Sequence, residues 1–398
     1  MAGAPLASGI SFGIQGPRVA MVAGEASGDL LAAHLIVALK QRIPGIRFMG
    51  IGGPRMQAEG FEAWWPGEKL AVRGYVEVLR HYREITSIRT RLAQRLEHER
   101  PDLFIGVDAP DFNLDLEARL RSGGIRTCHY VSPSIWAWRG GRIEKIRHAA
   151  DHVMCLFPFE EALYADAGIA ATYVGHPLAD LIPADASDAT ARRAARKALG
   201  LPPDGPVIAL LPGSRQSELH ALAARYVDVA RRIATERPSV HFVVPLASPE
   251  TEAIWRAVQA GEGGTPLPIT LAPRASHQAL AACDVALVAS GTATLETALL
   301  RRPMAIAYNM SPLSWFLMRR MKYQPYVGLP NILCGQFVVP EFLQDDATPA
   351  NLAQALGNLL DDQPLCERIA GRFAQLHGQL RQDNAMRAAD AVSALLPA

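Results

Sequence analysis

The chain has 398 residues, of which 49% are apolar and 20% charged, and its formal net charge is +1. That length suits two domains of ordinary size, each with enough apolar surface for its own core. The near-neutral balance argues against a general nucleic-acid binder, so an anionic ligand has to be met by a local site. The opening MAGAPLASGISFGIQGP lacks the basic start and apolar segment of a secretion signal, and residues 1–17 read as a disordered leader. No run reaches the roughly 20 apolar residues of a spanning helix, so a cytoplasmic protein, at most attached to a membrane face, is expected. Cys128, Cys155, Cys283, Cys334 and Cys366 are scattered and include no CxxC pair. They read as reduced, mostly structural thiols rather than a zinc site.

Short apolar runs at 19–23, 47–50, 103–107, 127–131, 152–156 and 172–174 read as buried strands, with helical stretches at 30–41, 83–99, 115–122 and 159–165 between them. The rhythm restarts with strands at 207–211, 241–245, 269–272, 284–289 and 304–308 and helices such as 218–235 and 294–300. Repeated βα units specify parallel sheets covered by helices. The break falls in GHPLADLIPADASD, 175–188, which carries two prolines. The expected architecture is α/β: two facing, doubly wound Rossmann-like domains, over 18–178 and 179–364, with a cleft between them. A C-terminal helical segment, about 365–398, is expected to pack back on the first domain. Ligands in such folds bind beyond the carboxyl ends of the strands.

The first strand runs into Gly24-Glu25-Ala26-Ser27-Gly28-Asp29. Glycines at such a turn let backbone approach a ligand, and a helix start favours anions. The alternative is a plain βα turn capped by Ser27 or Asp29. Glu25 is oddly placed for phosphate and better placed for sugar hydroxyls. After the strand 103–107 comes Asp108, where a carboxylate could take a proton from an attacking hydroxyl; ordering the turn is its other reading, and Asp111 is expected to cap the next helix. After the strand 127–131, Trp136, Trp138 and Arg139 form either an apolar wall with a charged tip for an amphiphilic substrate or a packed loop. In the second half, Gly213, Ser214 and Arg215 follow a strand, and backbone amides with a guanidinium make a diphosphate site. Ser290, Gly291 and Thr292 join a strand to a helix and suit phosphate. Glu296, one turn in, could bind ribose hydroxyls or pair with the helix dipole.

The stretch 315–322, apolar then basic, suits a helix on an anionic membrane surface or an interdomain helix. Residues 70–79 could supply an acyl-chain patch or core. His176 sits at the presumed hinge, where a structural role is expected. No pattern suggests a metal, and no cofactor is expected.

Taken together, VAGEASGD, GIGGPRM, GVDAPDFN, YVSPSIWAWR, CLFPFE, YVGHPLAD, LPGSR, SGTATLE and YVGLPN resemble, in their order, the lipid-A-disaccharide synthase family, from about Val19 to the last helix. The resemblance implies a GT-B fold and an inverting transfer from UDP-2,3-diacylglucosamine to 2,3-diacylglucosamine 1-phosphate at the inner face of the cytoplasmic membrane, with a homodimer as one option. It makes Asp108 the base, and Gly213, Ser214, Arg215, Ser290, Gly291, Thr292 and Glu296 the UDP side. Glu25 and Asn331 become sugar or transition-state contacts. Ser27, Gly28, Trp136, Trp138 and Arg139 fall on the acceptor side. Gln336 and Phe337 stand where the family pattern has a basic–acidic pair. A UDP-sugar epimerase of similar fold and a non-catalytic sugar- or lipid-binding module remain as alternatives.

Overall fold

The computed structural model describes residues 16–67, 75–136, 140–261, 265–309 and 325–397. Most of the leader, Trp138, Arg139, the 315–322 segment and the first part of the 70–79 stretch therefore lie outside the described residues.

Two compact units divide the chain. The first comprises Met1–Ile135, Gly141–Val174 and Asp383–Ala398; the second comprises Trp136–Gly140 and Gly175–Gln382. Strands β1 (Arg18–Ala23), β2 (Arg47–Gly52), β3 (Glu62–Pro66), β4 (Leu103–Val107), β5 (Thr127–Tyr130), β6 (His152–Cys155) and β7 (Ala171–Tyr173) form the first sheet in the order β3-β2-β1-β4-β5-β6-β7. Strands β8 (Val207–Leu211), β9 (His241–Leu246), β10 (Ile269–Pro273), β11 (Val285–Ala289), β12 (Met304–Tyr308) and β13 (Glu341–Leu343) form the second in the order β10-β9-β8-β11-β12-β13. Every recorded pairing is parallel. Strands β4, β8 and β11 at the switch points are without polar side chains end to end because helices cover both faces. On one face of the first sheet, Met21, Ile105, Val107 and Tyr130 pack with Leu35, Ile36 and Leu39. On the other, Val22, Ile51 and Phe104 pack with Leu92, Phe112 and Leu116.

Chain order reverses between β1 and β4 in one sheet and between β8 and β11 in the other. These switch points are where strand-end loops diverge and leave a crevice. Ala23 pairs with Val107, so the loops starting at Gly24 and at Asp108 leave neighbouring strand ends.

β3 and β13 were not foreseen. Both are edge strands; the first ends on Pro66 and the second is three residues long, so neither carries the fully apolar run of a central strand. The C-terminal helical segment is shared between the units. Helix Gln363–Leu380 belongs to the second, and helix Asn384–Leu395 to the first. That last helix buries Ala388, Ala389 and Val392 in the first core. The Tyr130 hydroxyl donates to Asn384 Oδ1 at 2.6 Å, and Arg42 pairs with Asp390 at 2.7 Å. His176 is structural, as expected: its Nδ1 accepts from Leu178 N at 3.2 Å, capping helix Pro177–Leu181, and burial pushes its pKa down to about 4.

Candidate functional site

The switch point of the second sheet opens into a cavity of about 520 Å3. All seven residues expected on the nucleotide side line it: Gly213, Ser214 and Arg215 after β8, Ser290, Gly291 and Thr292 after β11, and Glu296. Two helices start there, Gln216–Glu236 and Thr292–Leu299. Glu218 N and Thr294 N bond back to the carbonyls of Arg215 and Gly291; the N–H groups ahead of them, at Gln216, Ser217, Thr292 and Ala293, have no i−4 partner within the helix, which favours an anion.

One expectation needs correcting. The amides of Ser214 and Arg215 are already bonded to Glu218 Oε2, at 2.8 and 3.1 Å. Glu218 reaches back from the third helical position, as in a capping box, and holds the loop in shape. Those two N–H groups are therefore committed to the loop, and the positive charge at the cavity comes from the Arg215 and Arg274 side chains and the start of helix Thr292–Leu299. Sequence reading took Glu218 as an ordinary helix residue; its spacing from Arg215 was the available signal. Gly213 is required by this arrangement. Its φ is 119°, and a Cβ there would lie 2.4 Å from Glu218 Oε2. Tyr308 also lines the cavity; burial raises its pKa, with Glu218 adding to the rise and Arg215 opposing it.

Glu296 faces His277, whose Nε2 lies 3.3 Å from Glu296 Oε2. Hydrogen bonding to Glu296 raises the His277 pKa. Arg274, also unforeseen, lines the cavity from the end of β10 with a left-handed backbone, φ 57°.

Asn331 does not behave as a substrate contact. It is 0% exposed. Its Nδ2 donates to Val339 O and Glu341 Oε1, each at 2.8 Å, and its Oδ1 accepts from Val338 N and Val339 N at 2.8 and 3.0 Å. The amide is saturated, so the residue clamps the turn that leads into β13. In that turn Phe337 is 62% exposed, with its ring 6.5 Å from that of Tyr326.

In the first unit, Asp108 and Ala109 both adopt left-handed backbone, with φ of 53° and 43°. Two consecutive non-glycine residues in that region store strain that the surroundings must hold. Asp108 N donates to Tyr130 O at 2.8 Å, and Asp108 O accepts from Asn113 Nδ2 at 2.8 Å. Helix Pro110–Ser122 follows, and Asp111, rather than capping it, pairs with Arg142 from the first turn. Glu25 is the exposed N-cap residue ahead of helix Ala26–Arg42, Ser27 is exposed in its first turn, and Gly28 packs near Ala23 and Val107. Asp29 is not a cap of its own helix. Its buried carboxylate accepts from Gly53 N, Arg55 N and Met56 N at 3.0–3.1 Å, fixing the start of the neighbouring helix Pro54–Ala58. Trp136 is 8% exposed, which makes it packed loop rather than an open wall. No cluster of metal-ligating side chains occurs among the described residues, nor among them is any helix long and apolar enough to cross a membrane.

Two Rossmann-like units of this kind also make up the UDP-GlcNAc 2-epimerase of Neisseria meningitidis (TM-score 0.64, 13% identity, covering 95% of this chain and 99% of that one). The glycotransferase of kitacinnamycin is similar too (TM-score 0.60, 18% identity, 96% and 99% covered). The fold class is that of GT-B glycosyltransferases and their epimerase relatives. Sequence narrows it further. The family described as Lipid-A-disaccharide synthetase matches residues 19–395. The lipid-A-disaccharide synthase of Aromatoleum aromaticum is 57% identical over 375 residues, covering 94% of this chain and 95% of that one. The chain belongs to the lipid-A-disaccharide synthase family, glycosyltransferases of lipid A biosynthesis.

Proposed function

We propose that the chain joins UDP-2,3-diacylglucosamine to 2,3-diacylglucosamine 1-phosphate in one inverting step. The products are the β-1,6-linked tetraacyl disaccharide 1-phosphate and UDP. Family membership supports a UDP-sugar donor and a lipid acceptor. The observation that carries the residue assignment is the convergence of Arg215, Glu296 and the start of helix Thr292–Leu299 on one cavity. In this reading the acceptor 6-hydroxyl oxygen attacks the anomeric carbon. The bond to the diphosphate oxygen breaks, and its electrons leave with UDP. Asp108 accepts the hydroxyl proton. Arg215 and the helix start take up the charge growing on the diphosphate, Glu296 takes the ribose hydroxyls, and Glu25 meets a sugar hydroxyl. Because both substrates carry acyl chains, the work is done at the inner face of the cytoplasmic membrane.

The epimerase reading is not favoured, since the likeness to an epimerase is one of fold at 13% identity, against 57% to a synthase. Mass spectrometry of products from the purified protein with both diacyl sugars tests the proposal. The tetraacyl disaccharide 1-phosphate and equimolar UDP are expected. An isomerised donor in the absence of acceptor would instead identify an epimerase, and no UDP release with both substrates present would leave only a binding module.

A further inference from the structure

The strained turn at Asp108 rests on a buried polar line that the transfer itself does not use. Asn113, Glu117 and His129 are each 0% exposed. His129 Nδ1 lies 2.7 Å from Glu117 Oε1. Glu117 and Asn113 are four residues apart on helix Pro110–Ser122, so they are neighbours on one face. Asn113 Nδ2 then reaches Asp108 O at 2.8 Å and Val107 O at 3.4 Å. His129 is paired across the sheet with Gly106, and next to it Tyr130 O accepts Asp108 N. Gly106 makes room for the line: a Cβ there would lie 2.1 Å from Glu117 Oε1 and 2.8 Å from Asn113 Cβ. The line thus joins β5, the helix and the turn after β4.

We propose that Asn113, Glu117 and His129 are positioning residues that pin the backbone of Asp108 and thereby fix the direction of its carboxylate. The inference rests on the reading of Asp108 as the base. Left-handed backbone at two successive non-glycine residues persists only where its surroundings over-determine it, and Asn113 supplies the bond to the carbonyl between them. Glu117 acts in this line as a neutral acid. Burial raises its pKa. Asn113 Oδ1, Glu117 Oε2 and His129 Nε2 are buried without a hydrogen-bond partner among the described residues, and each costs free energy if left so. A proton on Glu117 Oε2 lets that oxygen donate instead of standing as an unpaired acceptor, on the helix face it shares with Asn113, while Oε1 accepts from His129 Nδ1–H.

A glutamine has the shape and donor–acceptor order of that neutral acid, which makes the proposal testable. Product formation is measured for Asn113→Ala, Glu117→Gln, Glu117→Leu and Asp108→Asn, with UDP affinity and melting temperature as controls on folding. Asn113→Ala and Glu117→Leu should lower kcat by about 10- to 100-fold, the scale on which misplacing a reacting group acts, with donor KM and UDP affinity unchanged. Glu117→Gln should keep kcat within about threefold. Wild-type kcat in Asn113→Ala, with Asp108→Asn impaired, overturns the positioning line and leaves the base intact. Equal losses in Glu117→Gln and Glu117→Leu overturn the neutral acid. Normal turnover in Asp108→Asn removes the base and this inference with it. Should Glu117→Leu fail to fold, the other three variants still decide.

Discussion

The loops after β8 and β11 are built in the opposite way to those after β4 and β5. After β8 and β11 the chain turns on glycines, Gly213 with φ 119° and Gly291 with φ 152°. After β4 and β5 it turns on residues that keep a side chain, Asp108, Ala109 and Val131, with φ of 53°, 43° and 81°. Glycine takes left-handed backbone at little cost and lets a ligand approach the main chain. A non-glycine residue there stores strain but aims a side chain in a fixed direction. In the proposed function, then, the second unit receives an anion at a helix start and a guanidinium, and the first presents a carboxylate. That reading makes binding and chemistry separable by substitution.

The largest effect should come from Asp108→Ala, with kcat lower by roughly 10²–10⁴ and UDP affinity unchanged by calorimetry. Near-normal turnover, or a matching loss of UDP affinity, breaks the division of labour. Arg215→Ala is the crossed experiment. Losing one charged hydrogen-bonding group costs about 1.5–3 kcal/mol, so UDP should bind about 10- to 100-fold more weakly. Unchanged affinity in that titration would remove Arg215 from the diphosphate.

Much of this contrast was legible beforehand, and the limits of legibility have physical causes. The central strands stood out because parallel strands buried on both faces are unbroken apolar runs, and the loops after them could then be assigned to strand ends. β3 and β13 escaped because edge strands need not be apolar. The saturation of Asn331 escaped because a motif position does not reveal whether an amide is satisfied by its own loop. Glu218 was read for its helix rather than for the two amides it reaches back to bind. Glu117 and His129 belong to no common motif; only the pairing of β4 with β5 brings the strand residue under the helix residue.

Exchanging the two kinds of turn sharpens the comparison at intermediate scale. Gly213→Ala places a Cβ 2.4 Å from Glu218 Oε2 and 2.6 Å from Glu218 Cβ at φ 119°. It should destabilise by about 1–3 kcal/mol, read as a lower thermal midpoint and weaker UDP binding. The reverse exchange, Ala109→Gly, relieves a left-handed alanine worth roughly 1 kcal/mol and should melt no lower than the wild type. Equal destabilisation by the two substitutions would refute the idea that one loop uses glycine for room while the other holds strain for aim.

The smallest effect is expected at His277, and its sign follows from the direction of its shift. Glu296 raises the His277 pKa in the folded chain, so the folded state holds a proton that the unfolded state gives up earlier as pH rises. The bond's contribution is fully present below the ordinary histidine value of about 6.5 and is lost as pH climbs through the raised folded value. Because the His277 side chain is 50% exposed, water screens the pair and the contribution stays below about 1 kcal/mol. His277→Gln should therefore melt slightly lower than the wild type at about pH 6 and together with it at about pH 9. A gap that stays constant across that range would mean that the pair is held by packing rather than by charge. Glu296 would then meet the nucleotide without a pH-dependent partner.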